Sequence, residues 1–243
     1  MLREYASPLT VDVPATGSIT DDVVAAAAEA PQTVLFGRPA GGDWTDVTAS
    51  EFRDEVAGVA GGLIASGIEP GDRVLLLSRT RYEWTLFDYA LWWCGAVTVP
   101  VYETSSEDQV AWVLEDSGAV AAVVETDDHL ARVRRATGIT QIWQIESGAV
   151  TALAAAGAEV SEEEVEKRRT AVTPDSLATL IYTSGTTGRP KGCELTHGNF
   201  MFELGVAVDA LRPLFSAERS STLLFLPLAH VFARIIQVGV IKA

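Results

Sequence analysis

From Tyr182 the chain runs Tyr182-Thr183-Ser184-Gly185-Thr186-Thr187-Gly188-Arg189-Pro190-Lys191-Gly192, a stretch holding three glycines, four serine or threonine hydroxyls, an arginine and a lysine. These residue types together can hold phosphate. Glycines turn backbone N–H groups inward at dihedrals other residues avoid, the hydroxyls add donors, and the lysine is a mobile point charge. The apolar run 177–181 before the stretch reads as a buried strand, and a helical pattern starts near Thr196. A strand that empties into such a loop and then a helix brings N–H groups onto phosphate oxygens. A Walker loop is excluded by identity, since it needs glycine where Pro190 stands and a hydroxyl where Gly192 stands. The plainer reading, a Gly/Thr-rich surface linker, does not account for a lysine and hydroxyls in register behind a buried strand.

A second stretch, Phe225-Leu226-Pro227-Leu228-Ala229-His230-Val231-Phe232-Ala233-Arg234, follows an apolar segment, 223–226, that reads as another buried strand ended by Pro227. A lone histidine after a strand is ordinarily a helix-start or turn residue, and Arg234 reads equally as a surface or an ion-pair residue.

The elements that must position these groups alternate. An N-terminal arm to about residue 32 contains one short helix, and a hairpin turns at Gly41-Gly42. A helix opens with a capping box of Thr48 and Glu51. Strands follow around Val74, Val97, Val120 and Gln141, with helices from Trp84, from a Ser106/Gln109 cap and from Asp127 between them. Pro100 places the second of these strands at an end or edge. Such alternation implies right-handed βαβ crossovers and an α/β fold with a largely parallel sheet flanked by helices. Residues 152–156 and 161–169 read as weaker surface helices, the second a solvated linker. A last apolar helix starts near His230.

The formal net charge of −15 over 243 residues argues against a nucleic-acid binder. An anionic substrate then needs a local positive site, for which Arg189 with Lys191 is the candidate. Cys94 and Cys193 are isolated and make neither a disulfide framework nor a metal knuckle. No metal ligands are expected, no apolar run reaches transmembrane length, and the opening residues lack a signal-peptide pattern. A cytoplasmic protein is expected, with peripheral membrane contact left open.

The string from Ser184 to Gly192 fits S-G-T-T-G-x-P-K-G and resembles the phosphate-loop signature of the adenylate-forming (AMP-binding) superfamily. The segment around His230 resembles that of the long-chain acyl-CoA synthetases within it. The resemblance implies activation of a fatty acid by ATP to an acyl-adenylate, then transfer to coenzyme A, with AMP and pyrophosphate released and Mg2+ as the metal. It assigns phosphate binding to Thr183, Ser184, Gly185, Thr186, Thr187, Gly188 and Lys191, and the carboxylate end of the acyl substrate to His230. No catalytic residue is assigned. The related peptide-synthetase domains place an aspartate in the His230 segment to pair with the substrate ammonium; 229–232 offer none, so the comparison implies an uncharged-chain acid rather than an amino acid. Other carboxylic acids, aryl acids or acids loaded onto a carrier protein, stay open, as does a non-catalytic chain with weak phosphate binding. By the same resemblance the chain is the N-terminal part of an adenylate-forming fold, incomplete at the C-terminus. A first subdomain spans 1–170, and the start of a second, carrying the phosphate loop, spans 171–243. Adenine, ribose and magnesium ligands are expected beyond residue 243, in a missing C-terminal portion needed for activity.

Overall fold

The computed structural model describes residues 11–136, 139, 141–183, 189–210 and 221–242. Helix α1 (Thr20–Glu29) leads into a hairpin, β1 (Val34–Ala40) and β2 (Asp43–Thr48). Its turn residues Gly41 and Gly42 both take positive φ, 60° and 95°, which glycine does without strain. Helix α2 (Ala49–Ala65) starts with the expected capping box: the Glu51 N–H donates to the Thr48 hydroxyl and the Thr48 N–H donates to the Glu51 carboxylate.

The alternation then builds one sheet. In chain order come β3 (Arg73–Leu77), α3 (Tyr82–Trp93), β4 (Val97–Val101), α4 (Glu107–Ser117), β5 (Ala121–Val124), α5 (Asp127–Ala136) and β6 (Ile142–Gln144). After α6 (Ala149–Gly157) and α7 (Glu162–Thr170) come β7 (Leu177–Thr183), β8 (Lys191–Thr196), α8 (His197–Ala210) and α9 (Val231–Lys242). The strand order is β6-β5-β3-β4-β7-β8, parallel throughout except for the β7–β8 pair.

Both faces of this sheet are covered, so its inner strands are apolar at nearly every position. Val74, Leu76, Ala121 and Val123 pack into a core shared with α2 and α3. Leu75, Leu77, Val99, Val101, Ala122 and Val124 face Val110, Val113 and Leu114 of α4 and Val133 of α5.

Three expectations need correction, and a fourth, the place of Pro100, narrows to one of its two alternatives. The loop from Tyr182 does not pass directly into a helix: β8 intervenes, antiparallel to β7, with Thr183 opposite Lys191 and Tyr182 opposite Gly192. As the sheet's outer strand β8 carries Lys191 and Glu194 exposed, so it lacks the apolar pattern of its neighbours. Residues 223–226 form no strand, because a strand needs a neighbour paired backbone to backbone and this segment has none among the described residues; Leu223 and Phe225 are largely exposed. Pro100 lies near the end of its strand but not at the sheet's edge, since β4 sits between β3 and β7. Its missing N–H falls beyond Thr98↔Thr179, the pair that registers β4 with β7. Helix α6 is no loose surface element: a Cβ at Gly62 would stand 2.1 Å from the Leu153 carbonyl oxygen, and one at Gly157 2.3 Å from that of Gly58. Glycines let α2 and α6 cross backbone to backbone.

Candidate functional site

Strands β3, β4 and β7 are parallel, so the turn after Leu77 and the end of β7 at Thr183 lie at the same, carboxyl edge of the sheet. Open α/β sheets bind ligands along that edge.

The neck of the glycine-rich loop is defined on both sides. Thr183 closes β7 and Lys191 opens β8; both are exposed and face each other in register. Ser184, Gly185, Thr186, Thr187 and Gly188 lie outside the described residues. The neck rests on α4, which is anchored by the Ser106/Gln109 capping box. The Trp112 indole N–H donates to the Pro190 carbonyl at 2.9 Å, and the Tyr182 hydroxyl donates to the Asp116 carboxylate at 2.6 Å. Burial, then the hydrogen bond to Asp116 and that residue's charge, push the Tyr182 phenol above its ordinary range, so it keeps its proton. Arg189, expected beside Lys191 as a phosphate cation, instead lays its guanidinium over the Trp112 ring, 4.6 Å from the centroid.

The His230 segment is held from the neighbouring turn. Glu125, nearly fully buried at the end of β5, accepts the Arg79 backbone N–H at 2.8 Å and the guanidinium groups of Arg79 and Arg81. Burial pushes its carboxyl up, but the Arg79 hydrogen bonds and the two guanidinium charges outweigh this and bring it to about 2. The turn so shaped presents Thr80, whose hydroxyl donates to the Leu226 carbonyl at 2.7 Å and accepts from the Leu228 N–H at 3.3 Å. His230 itself is exposed. Its Nδ1 accepts the Phe232 N–H at 3.2 Å, a helix-start role that leaves Nε2 outside that bond.

Arg234 is an ion-pair residue, and a fully buried one. It forks onto Asp88 at 2.6 and 3.1 Å and donates to the Thr179 hydroxyl at 2.6 Å, with its guanidinium 5.1 Å from the Trp92 ring centroid. The network thus joins α9, α3 and the strand leading to the loop. Sequence reading missed it, along with Thr80 and the α4 supports; only the i,i+4 spacing of Trp112 and Asp116 hinted at a shared face.

Among the described residues no three His, Cys, Asp or Glu side chains converge to hold a metal. No described helix is long and apolar enough to cross a membrane.

A family model described as AMP-binding enzyme matches residues 23–242. The long-chain-fatty-acid–CoA ligase FadD15 of Mycobacterium tuberculosis is 44% identical over 245 aligned residues, covering 98% of this chain and 41% of that protein. A feruloyl-CoA synthase of Amycolatopsis is 35% identical, covering 78% of this chain and 35% of its own length. The chain therefore spans about two fifths of FadD15, and less of the other relative. Among solved structures, VinN with L-aspartate superposes with a TM-score of 0.77 at 20% identity, over 95% of this chain and 61% of that one. The N-terminal domain of FACL13 from Mycobacterium tuberculosis gives 0.72 at 23%, over 92% and 54%. At those identities the likeness concerns the fold.

Proposed function

The chain belongs to the AMP-binding enzyme family, and from that premise we propose that it carries the phosphate-binding part of an AMP-forming fatty acid–CoA ligase. In that reaction a carboxylate oxygen attacks the α-phosphorus of ATP and the bond to the β-phosphate breaks. Pyrophosphate leaves and an acyl-adenylate remains. The thiol of coenzyme A, losing its proton, then attacks the acyl carbon, and AMP leaves.

The first step sets an anion against a polyanion, so donors around the departing phosphates lower its barrier. In this reading the hydroxyls of Thr183, Ser184, Thr186 and Thr187 and the backbone at Gly185 and Gly188 donate to phosphate oxygens. Lys191 neutralises charge on the leaving group, and His230 lies beside the acyl carboxylate. The donor set suits phosphate. Magnesium, when bound with the nucleotide, would spread phosphate charge, but the described residues offer no ligand set for it, and no step is assigned through it. Division of the chain near residue 170 is part of the same proposal, and limited proteolysis between α7 and β7 tests it.

The observation that supports this reading most is the S-G-T-T-G-x-P-K-G string whose neck residues, Thr183 and Lys191, face each other at the carboxyl edge of the sheet. Equilibrium dialysis of the chain against pyrophosphate and against ATP tests it. Lys191→Ala is expected to weaken both by about tenfold or more, the usual cost of removing a hydrogen bond between charged groups. Equal binding by variant and wild type would end the phosphate assignment.

A second reading, a ligase for another carboxylic acid, draws on the 35% identity to a feruloyl-CoA synthase. Hydroxamate trapping of the acyl-adenylate, with palmitate and ferulate offered side by side, separates the two.

A further inference from the structure

Helix α4 buries Val110, Val113 and Leu114 against the sheet, which leaves Trp112 and Asp116, one turn apart, on its flank. Both side chains are spent on the neck between β7 and β8, one on each strand. The Tyr182 hydroxyl reaches Asp116 from the β7 side. On the β8 side the Trp112 indole takes the carbonyl of Pro190, the peptide unit whose nitrogen belongs to Lys191. Across the ladder Gly192 lies on the Tyr182 ring, where a Cβ would stand 3.2 Å from the ring carbon bearing the hydroxyl. The neck is thus stacked in order, Gly192 on Tyr182 and Tyr182 tied to α4, with Pro190 and Arg189 on Trp112.

Two features mark this as more than packing. Pro190 has a fixed φ, so once its carbonyl is held, the plane of the peptide that starts Lys191 is held too. Arg189, an exposed cation two residues from Lys191, is drawn onto the indole face, so of the two neighbouring charges only Lys191 is left off the Trp112 platform.

We infer that Trp112 is a positioning residue: through the Pro190 carbonyl it sets the direction in which Lys191 leaves β8, and by stacking Arg189 it makes Lys191 the neck's working cation. This rests on the phosphate reading of the loop and adds to it a residue on a different element, 79 positions away from Lys191 in sequence.

The test uses inorganic pyrophosphate and the nitrogen-15-labelled chain, followed through the indole N–H signals. Trp112 is identified as the signal lost in Trp112→Phe, a variant that keeps a smaller aromatic ring under Arg189 and removes the donor. In the wild type the Trp112 signal is expected to move most on titration, since its acceptor precedes Lys191. Trp112→Phe is expected to weaken pyrophosphate binding about threefold or more, short of the Lys191→Ala loss, while the chain stays folded with a melting temperature lowered by no more than about 4 °C. Trp44→Phe, on the exposed hairpin, serves as the control and should bind as wild type. If Trp112→Phe fails to fold, the wild-type titration decides instead, the Trp112 signal being assigned by its through-space contacts to Pro190 and Arg189.

Wild-type affinity in a folded Trp112→Phe, or a Trp112 signal that stays fixed while wild type binds pyrophosphate, alongside loss in Lys191→Ala, overturns the positioning role and leaves the phosphate reading standing. Binding that Lys191→Ala does not disturb, or no binding by wild type, overturns both.

Discussion

The buried Arg234–Asp88 pair makes the sharpest demand on this fold, and Arg234→Met exposes it. Both side chains are fully excluded from solvent. Asp88 receives two bonds from the guanidinium and one long bond, 3.4 Å, from Gln237. Methionine fills much of the same volume between Trp84, Trp92 and Phe200 but leaves the carboxylate only the uncharged Thr98 and Gln237 side chains. Stranding a buried charge in this way costs about 3–5 kcal/mol, a large share of a domain's roughly 5–15 kcal/mol. Burial already pushes the Asp88 carboxyl up against the pull of Arg234; without that pull it rises further. An acid whose folded pKa exceeds its unfolded one gains stability as pH falls, so the deficit should shrink from pH 8 to pH 5. Adding Asp88→Asn should recover most of the loss, because the penalty lies in the unpaired charge. Urea unfolding followed by tryptophan fluorescence at the two pH values measures all of this. A deficit below about 1 kcal/mol, the range of an exposed pair, or a double variant no better than the single one, would refute the reasoning.

Two further outcomes follow from the core. His197 is buried edge-on to Trp92, and burial, then the Arg234 charge, hold its imidazole down at about 3. Below about pH 6.5 the unfolded chain takes up a proton the folded one refuses, so stability falls by about 1.4 kcal/mol per pH unit. His197→Phe should therefore lose about 2 kcal/mol less than wild type between pH 6.5 and pH 5, measured by urea midpoints; parallel declines would count against a neutral buried histidine. At the α2–α6 crossing, Gly62→Ala should destabilise by about 1–3 kcal/mol through overpacking. Gly58→Ala, whose Cβ would meet Ala154 at 3.7 Å, should be neutral or gain up to about 1 kcal/mol of helix propensity. Thermal melts of the two variants check this, and equal losses would contradict the close crossing.

What the sequence settled by itself was local. The Thr48/Glu51 and Ser106/Gln109 caps, the Gly41-Gly42 turn and the run of strands from Val74 to Gln144 each depend on bonds spanning a few residues or on an unbroken apolar run, and all stand where the residues place them. The identity of the glycine-rich loop was legible for the same reason. Tertiary structure decided what depends on distant partners. Strand β8 exists because β7 lies beside it, while residues 223–226, apolar enough to read as a strand, have no such neighbour among the described residues and stay unpaired. Arg234 read as equally surface or paired because its partner Asp88 lies 146 residues away. Trp112 carried no reading of its own, because the carbonyl it holds lies 78 residues on. Charge and hydrogen bonding act through space, and the chain brings these groups within reach only when the sheet has formed and both of its faces are covered.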